Sequence, residues 1–165
     1  MQGLILIRLI VGPFMALHGA QKLFGWLGGY GLAGTGGFFE QLGFRPGRLF
    51  ALAAGLGEVV SGLLVALGFL GPVGPALMVL VMLVAMLTAH SGKGLFASSN
   101  GLELPLLYAA AAATLVLIGP GAYSLDELFG LTQFWTPEVR VAALGIAIAG
   151  AVANLAVRRS APQAA

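Results

Sequence analysis

The chain contains no cysteine. That excludes a disulfide, a CxxC redox pair, a thiolate nucleophile and thiolate ligation of an iron–sulfur cluster, and it puts any thiol chemistry on a partner. Charge is nearly as scarce: Asp, Glu, Lys and Arg make up 8% of the 165 residues, against about 25% in soluble domains. Hydrophobic residues are 59% and mean hydropathy is +0.98. So few charges cannot cover a water-facing surface; the solvent that fits is lipid. Net charge is only +2, and no basic patch is interleaved with aromatics, which argues against nucleic acid as a partner. The glycine cluster at residues 28–37 follows no strand and carries no P-loop lysine, and no Ser/His/Asp arrangement is legible.

The apolar runs are of spanning length, about 20 residues each. The first covers residues 3–24, with Pro13 expected to kink it. It lacks the basic start of a cleaved leader, and Arg8 interrupts it, so it reads as the first spanning helix. Residues 25–37 are glycine-rich and read as a loop, after which Thr35 is placed to cap a short amphipathic turn at 36–42. Residues 48–70 form a second apolar run holding Glu58. The string Gly71-Pro72-Val73-Gly74-Pro75 turns the chain into a third run at about 75–90. A polar loop at 91–100 precedes a fourth run at 104–119, ended by Gly119-Pro120-Gly121. Ser124 with Glu127 makes a capping-box arrangement, and Pro137 opens a fifth run to about residue 157, closed by Arg158 and Arg159. The fold class is therefore all-α: a polytopic membrane bundle with a four-helix up-down core over residues 1–130. Residues 131–165 would add a fifth transmembrane helix and a short basic tail.

Loop cations set orientation. With five spans, Lys22, Arg45, Arg48, Lys93, Arg158 and Arg159 share one side, while Asp126, Glu127 and Glu138 lie on the other. The expected topology is N-terminus outside and C-terminus cytoplasmic.

An ionisable side chain within a span costs roughly 2.5–3.5 kcal/mol on insertion scales, so each one is informative. Arg8, Val11, Met15, His18 and Lys22 recur at alternating spacings of three and four, which puts the three polar members on one helix face. Snorkelling of Lys22 and Arg8 to the two headgroup layers is the blander alternative. Glu58 sits among Ala51, Ala54, Gly55, Ser61 and Gly62, a packing face where backbones approach. A buried Arg8–Glu58 ion pair is expected from their comparable depths in adjacent antiparallel helices, with a purely structural role as its alternative. Up-down alternation brings His18, Lys22, His90 and Glu103 to one mouth of the bundle, above Glu58. Met78, Met82 and Met86 lead to His90 at four-residue steps; interior methionine usually fills gaps, and no metal site is expected. Ligation of a haem by His18 and His90 is a further alternative, but no bound haem is expected, because the two lie about a turn apart in depth.

Arg8-x3-Gly12-x5-His18-Gly19-x2-Lys22-Leu23, Gly55-x2-Glu58-x3-Gly62 and His90 resemble the DoxX family of membrane proteins. Gly101-x-Glu103-x-Pro105 and Gly119-Pro120-Gly121-x-Tyr123-Ser124-Leu125-Asp126 extend the likeness to about residue 130. The resemblance implies a four-helix bundle of a bacterial inner membrane with the matched Arg, His, Lys and Glu as its polar signature. Family members include a subunit resembling the small part of a thiosulfate:quinone oxidoreductase, and a membrane anchor joining superoxide dismutase to a sulfurtransferase. Three functions follow. In the first, the chain is a quinone-linked redox subunit with His18, Lys22, Glu58, His90 and Glu103 as catalytic residues. His18 and His90 would touch the quinone, Lys22 would stabilise developing negative charge, and Arg8 and Glu58 would be structural. Electrons would come from a small donor or a partner, since the chain carries no group to relay them. In the second, it is a non-catalytic scaffold for soluble redox enzymes or sulfurtransferases. In the third, it is a small-solute or proton pathway. Lipid is the partner common to all three, and self-association is compatible with each.

Overall fold

The computed structural model describes residues 3–159; the end of the expected basic tail, residues 160–165, lies outside them. Among the described residues there are seven α-helices and no strand: α1 Gly3–Phe24, α2 Gly31–Gln41, α3 Gly47–Leu67, α4 Val73–Leu87, α5 Glu103–Ile118, α6 Leu125–Leu128 and α7 Pro137–Ala156. Helices α1, α3 and α7 are long and apolar enough to cross a membrane, while α4 and α5 are apolar but shorter. Their outer faces carry exposed Leu6, Ile10, Leu63, Ile146 and Val152, side chains that lipid accommodates and water does not. The protein is a helical membrane bundle.

Helices α1, α3, α4 and α5 pack in that order around the core, and α7 lies against α4 and α5. The core is built from Met15, Met78, Val79, Ala112 and Val116, with Ala147 contributed by α7. Met78 and Met82 of the four-residue series both fill the interior between apolar neighbours. Helices α1 and α3 touch backbone to backbone. A Cβ on Gly12 would lie 2.6 Å from the Gly62 carbonyl oxygen, and one on Gly19 would meet the Gly55 carbonyl. Small residues permit this approach, which replaces the missing hydrophobic drive between helices in lipid with dense van der Waals contact.

The apolar runs lie within a few residues of their expected positions, and Ser124 caps α6 by accepting from the Glu127 N–H at 3.2 Å. The first connection differs. Residues 31–41 form helix α2, with Thr35 buried inside it rather than capping a turn. Glycine disfavours helix by roughly 1 kcal/mol per residue, yet here it permits contact. Gly36 packs against Arg48, where a Cβ would meet Cγ at 3.0 Å. Glu40 at the end of α2 accepts from the Gly47 N–H at 3.1 Å, filling one of the orphan donors at the start of α3. Tertiary packing overrides propensity.

Candidate functional site

The antiparallel register of α1 and α3 decides which charges meet. Seven residues forward from Gly12 to Gly19 match seven back from Gly62 to Gly55. Arg8 therefore lies level with Ala66, and Glu58 with Ala16, about 12 Å apart along the helix axis. The expected Arg8–Glu58 pair is not formed. Glu58 instead bonds Lys22, whose Nζ lies 2.7 Å from Oε1 and 2.6 Å from Oε2. Helical side chains lean toward the N-terminus, and Lys22 uses that lean to reach back and down from the end of α1. Glu58 is 4% exposed and Lys22 27%, so the pair runs from the interior to the mouth. The pair gives each group a hydrogen-bonded partner where the interior offers no water.

Arg8 is buried at the opposite end. Its guanidinium donates to the carbonyls of Val65 (3.0 Å), Ala66 (3.0 Å), Pro120 (2.7 Å) and Tyr123 (2.9 Å). Val65 and Ala66 lie in the last turn of α3, where carbonyls lack helical partners and a cation is favoured. Asp126, expected in an outside loop, is fully buried nearby. Its carboxylate accepts from the Leu70 N–H at 2.8 Å and the Gly71 N–H at 2.5 Å, and its own N–H donates to Gly68 at 3.1 Å. Asp126 thereby fastens the segment after α5 onto the turn between α3 and α4. Arg140 performs a similar task on α5, donating to Ile118 at 3.0 Å.

A cavity of about 1010 Å³ occupies the other half of the bundle. His18, Lys22, Glu58 and His90 all line it, so four of the five candidate catalytic residues come together. His18 places Nδ1 3.2 Å from Gln21 Oε1 and packs edge-on against Tyr108, with ring centroids 5.8 Å apart. His90 places Nδ1 2.8 Å from the Asn100 carbonyl. Glu103 stands at the same end but turns away from the cavity: its carboxylate accepts from the Ala97 N–H at 2.8 Å and braces the loop after α4. The remaining walls are mostly apolar, with Phe38, Phe44 and Phe50 near α2 and Leu80 and Val84 from α4.

Tyr108 and Asn154 also line the cavity, and neither was singled out from the sequence. Tyr108 carries a polar tip in the middle of an apolar run, and Asn154 is the one amide within α7; an amphipathic tip in a spanning segment is a signal of inward orientation.

Fold and site together define a polytopic helical membrane protein with an intramembrane ion pair at the base of a polar-mouthed cavity. A family model described as DoxX matches residues 3–91, the stretch that holds α1 to α4 with His18, Lys22, Glu58 and His90. The chain belongs to the DoxX family. Neither the comparison with curated proteins nor that with solved structures returned a significant match.

Proposed function

We propose that the protein is the quinone-binding subunit of an oxidoreductase in a bacterial inner membrane, oriented with its N-terminus outside and its C-terminus cytoplasmic. The observation that carries this reading is the cavity of about 1010 Å³, which sets the His18, Lys22, Glu58 and Tyr108 group against aromatic and aliphatic walls. Small-molecule sites share this character: apolar surface for affinity and a few convergent polar groups for orientation. A quinone is a flat apolar ring with carbonyl acceptors, and it reaches such a site from lipid.

The chemistry falls to the chain's own side chains. Full reduction adds two electrons and two protons to the quinone. The electrons come from outside the chain, from a small donor or a partner enzyme. The Lys22 ammonium stabilises negative charge developing on a ring oxygen, and Glu58 holds that ammonium in place. His18 and His90 supply the two protons.

Purified protein is expected to release quinone on solvent extraction and to bind an added quinone analogue. His18→Ala and His90→Ala are expected to weaken that binding while expression and fold persist. Absence of quinone binding by the unaltered protein between about pH 5 and 8 would end this reading. The scaffold role would then lead, since it needs the polar groups only for packing.

A further inference from the structure

Helix α7 lies beyond the residues that the family model matches, yet it reaches the cavity. It packs on α4 so closely that a Cβ on Gly150 would lie 2.7 Å from Leu80 Cδ1. One turn later Asn154 lines the cavity together with Val84 of α4. One turn later again the chain is tied down. The Arg159 N–H donates to the Gly43 carbonyl at 2.9 Å, and the Arg158 guanidinium donates to the Leu42 carbonyl. Gly43 has a φ of 92° and no room for a side chain beside Arg159, so this latch requires glycine at that position. The latch fixes Asn154 axially against the end of α2.

Among the described residues, no hydrogen bond holds the Asn154 amide or the Tyr108 hydroxyl. The Asn154 amide is half-buried and lines the cavity, where a bound acceptor can supply the partner that its own helix does not. Helix α1 brings His18 and Lys22 to the cavity from the side of α3, whereas α7 brings Asn154 from the side of α4. Aliphatic Leu80 and Val84 and the α2 aromatics supply the surface around them.

We infer that Asn154 is a specificity-determining residue of this cavity: its amide N–H donates to a second carbonyl of a rigid two-carbonyl ligand whose first carbonyl faces His18 and Lys22. The inference rests on the quinone reading and adds to it. It assigns the recognition of the distal ring oxygen to α7, so that this helix selects for ligands with acceptors at both ends of a flat apolar ring.

The test compares menadione, a naphthoquinone with two ring carbonyls, with the methyl tetralone that keeps only one. Binding of each to the full chain and to Asn154→Leu is measured in detergent. The tetralone places its single carbonyl at the charged Lys22 end, where hydrogen bonds are stronger. Asn154→Leu is therefore expected to weaken menadione about tenfold and to leave the tetralone within about twofold of the unaltered protein. Asn154→Gln is expected to recover part of the loss. Should Asn154→Leu fail to fold, Asn154→Ser carries the same comparison. Equal weakening of both ligands, or no weakening of menadione, overturns the role of Asn154 and leaves the quinone reading standing. Failure of the unaltered protein to bind menadione at all overturns both.

Discussion

Replacing Lys22 by methionine removes the cation from a carboxylate that is 4% exposed and has no second cation bonded to it among the described residues. Two unit charges about 4 Å apart attract by about 4 kcal/mol at the dielectric effective near a protein surface. The pair here is closer, but the Lys22 end is 27% exposed, and water there screens part of the attraction. A coupling of about 2 kcal/mol is the resulting expectation, and stranding Glu58 should make Lys22→Met cost about 3 kcal/mol. The reverse change is milder. Glu58→Gln leaves an ammonium near the mouth that can swing toward water, and should cost about 1–2 kcal/mol. The double variant should then cost about 2 kcal/mol less than the two single changes added together. SDS titration in mixed micelles, followed through Trp26 and Trp135 fluorescence, measures all three. Additivity within about 0.5 kcal/mol would show that the two groups do not interact. Arg8→Leu combined with Glu58→Gln is the internal control and should be additive, since the residues sit about 12 Å apart along the bundle.

Gly62→Val should abolish stable folding, because even its Cβ would lie 2.5 Å from the Gly12 carbonyl with backbone on both sides, whereas Gly145→Ala meets open space and should raise stability by up to about 1 kcal/mol; the same SDS titration reads both. Asp126→Ala deprives the Leu70 and Gly71 N–H groups of their acceptor and should cost about 2–4 kcal/mol, with faster proteolysis of the α3–α4 turn as a second readout. For orientation, Ser98→Cys should resist an impermeant thiol reagent in intact cells while Glu127→Cys reacts, against a background free of native cysteine; the opposite labelling pattern would invert the topology.

The spanning helices were readable because lipid imposes a crude and unambiguous demand on sequence, a run of apolar residues bounded by Gly, Pro or charge. The stripe of Arg8, His18 and Lys22 was readable for the same reason, through helical periodicity. The partners were not. Arg8 is satisfied by four backbone carbonyls, groups that every residue possesses and that leave no trace in side-chain identity. Depth was misjudged because it depends on where α1 and α3 come into contact, and that is set by Gly12, Gly19, Gly55 and Gly62 rather than by the ends of the apolar runs. Asp126 was assigned to water because it stands beside Glu127 in a polar stretch; its burial follows from the unpaired N–H groups of a turn formed more than fifty residues earlier. Helix α2 was hidden by composition, since glycines that usually mark a loop serve there as contact surface.

Helices α4 and α5, with 15 and 16 residues, rise only about 22–24 Å, against an apolar bilayer core of about 30 Å. Where lipid meets α4 and α5 directly, rather than the full-length α7 packed against them, thinning of the bilayer by several ångströms accommodates them at a cost of a fraction of a kcal/mol for each. The distortion is one-sided, because α1 and α3 on the other flank have 22 and 21 residues and match a full core. A lipid-soluble molecule moving along the protein therefore meets its shortest path from headgroup level to mid-bilayer beside α4 and α5.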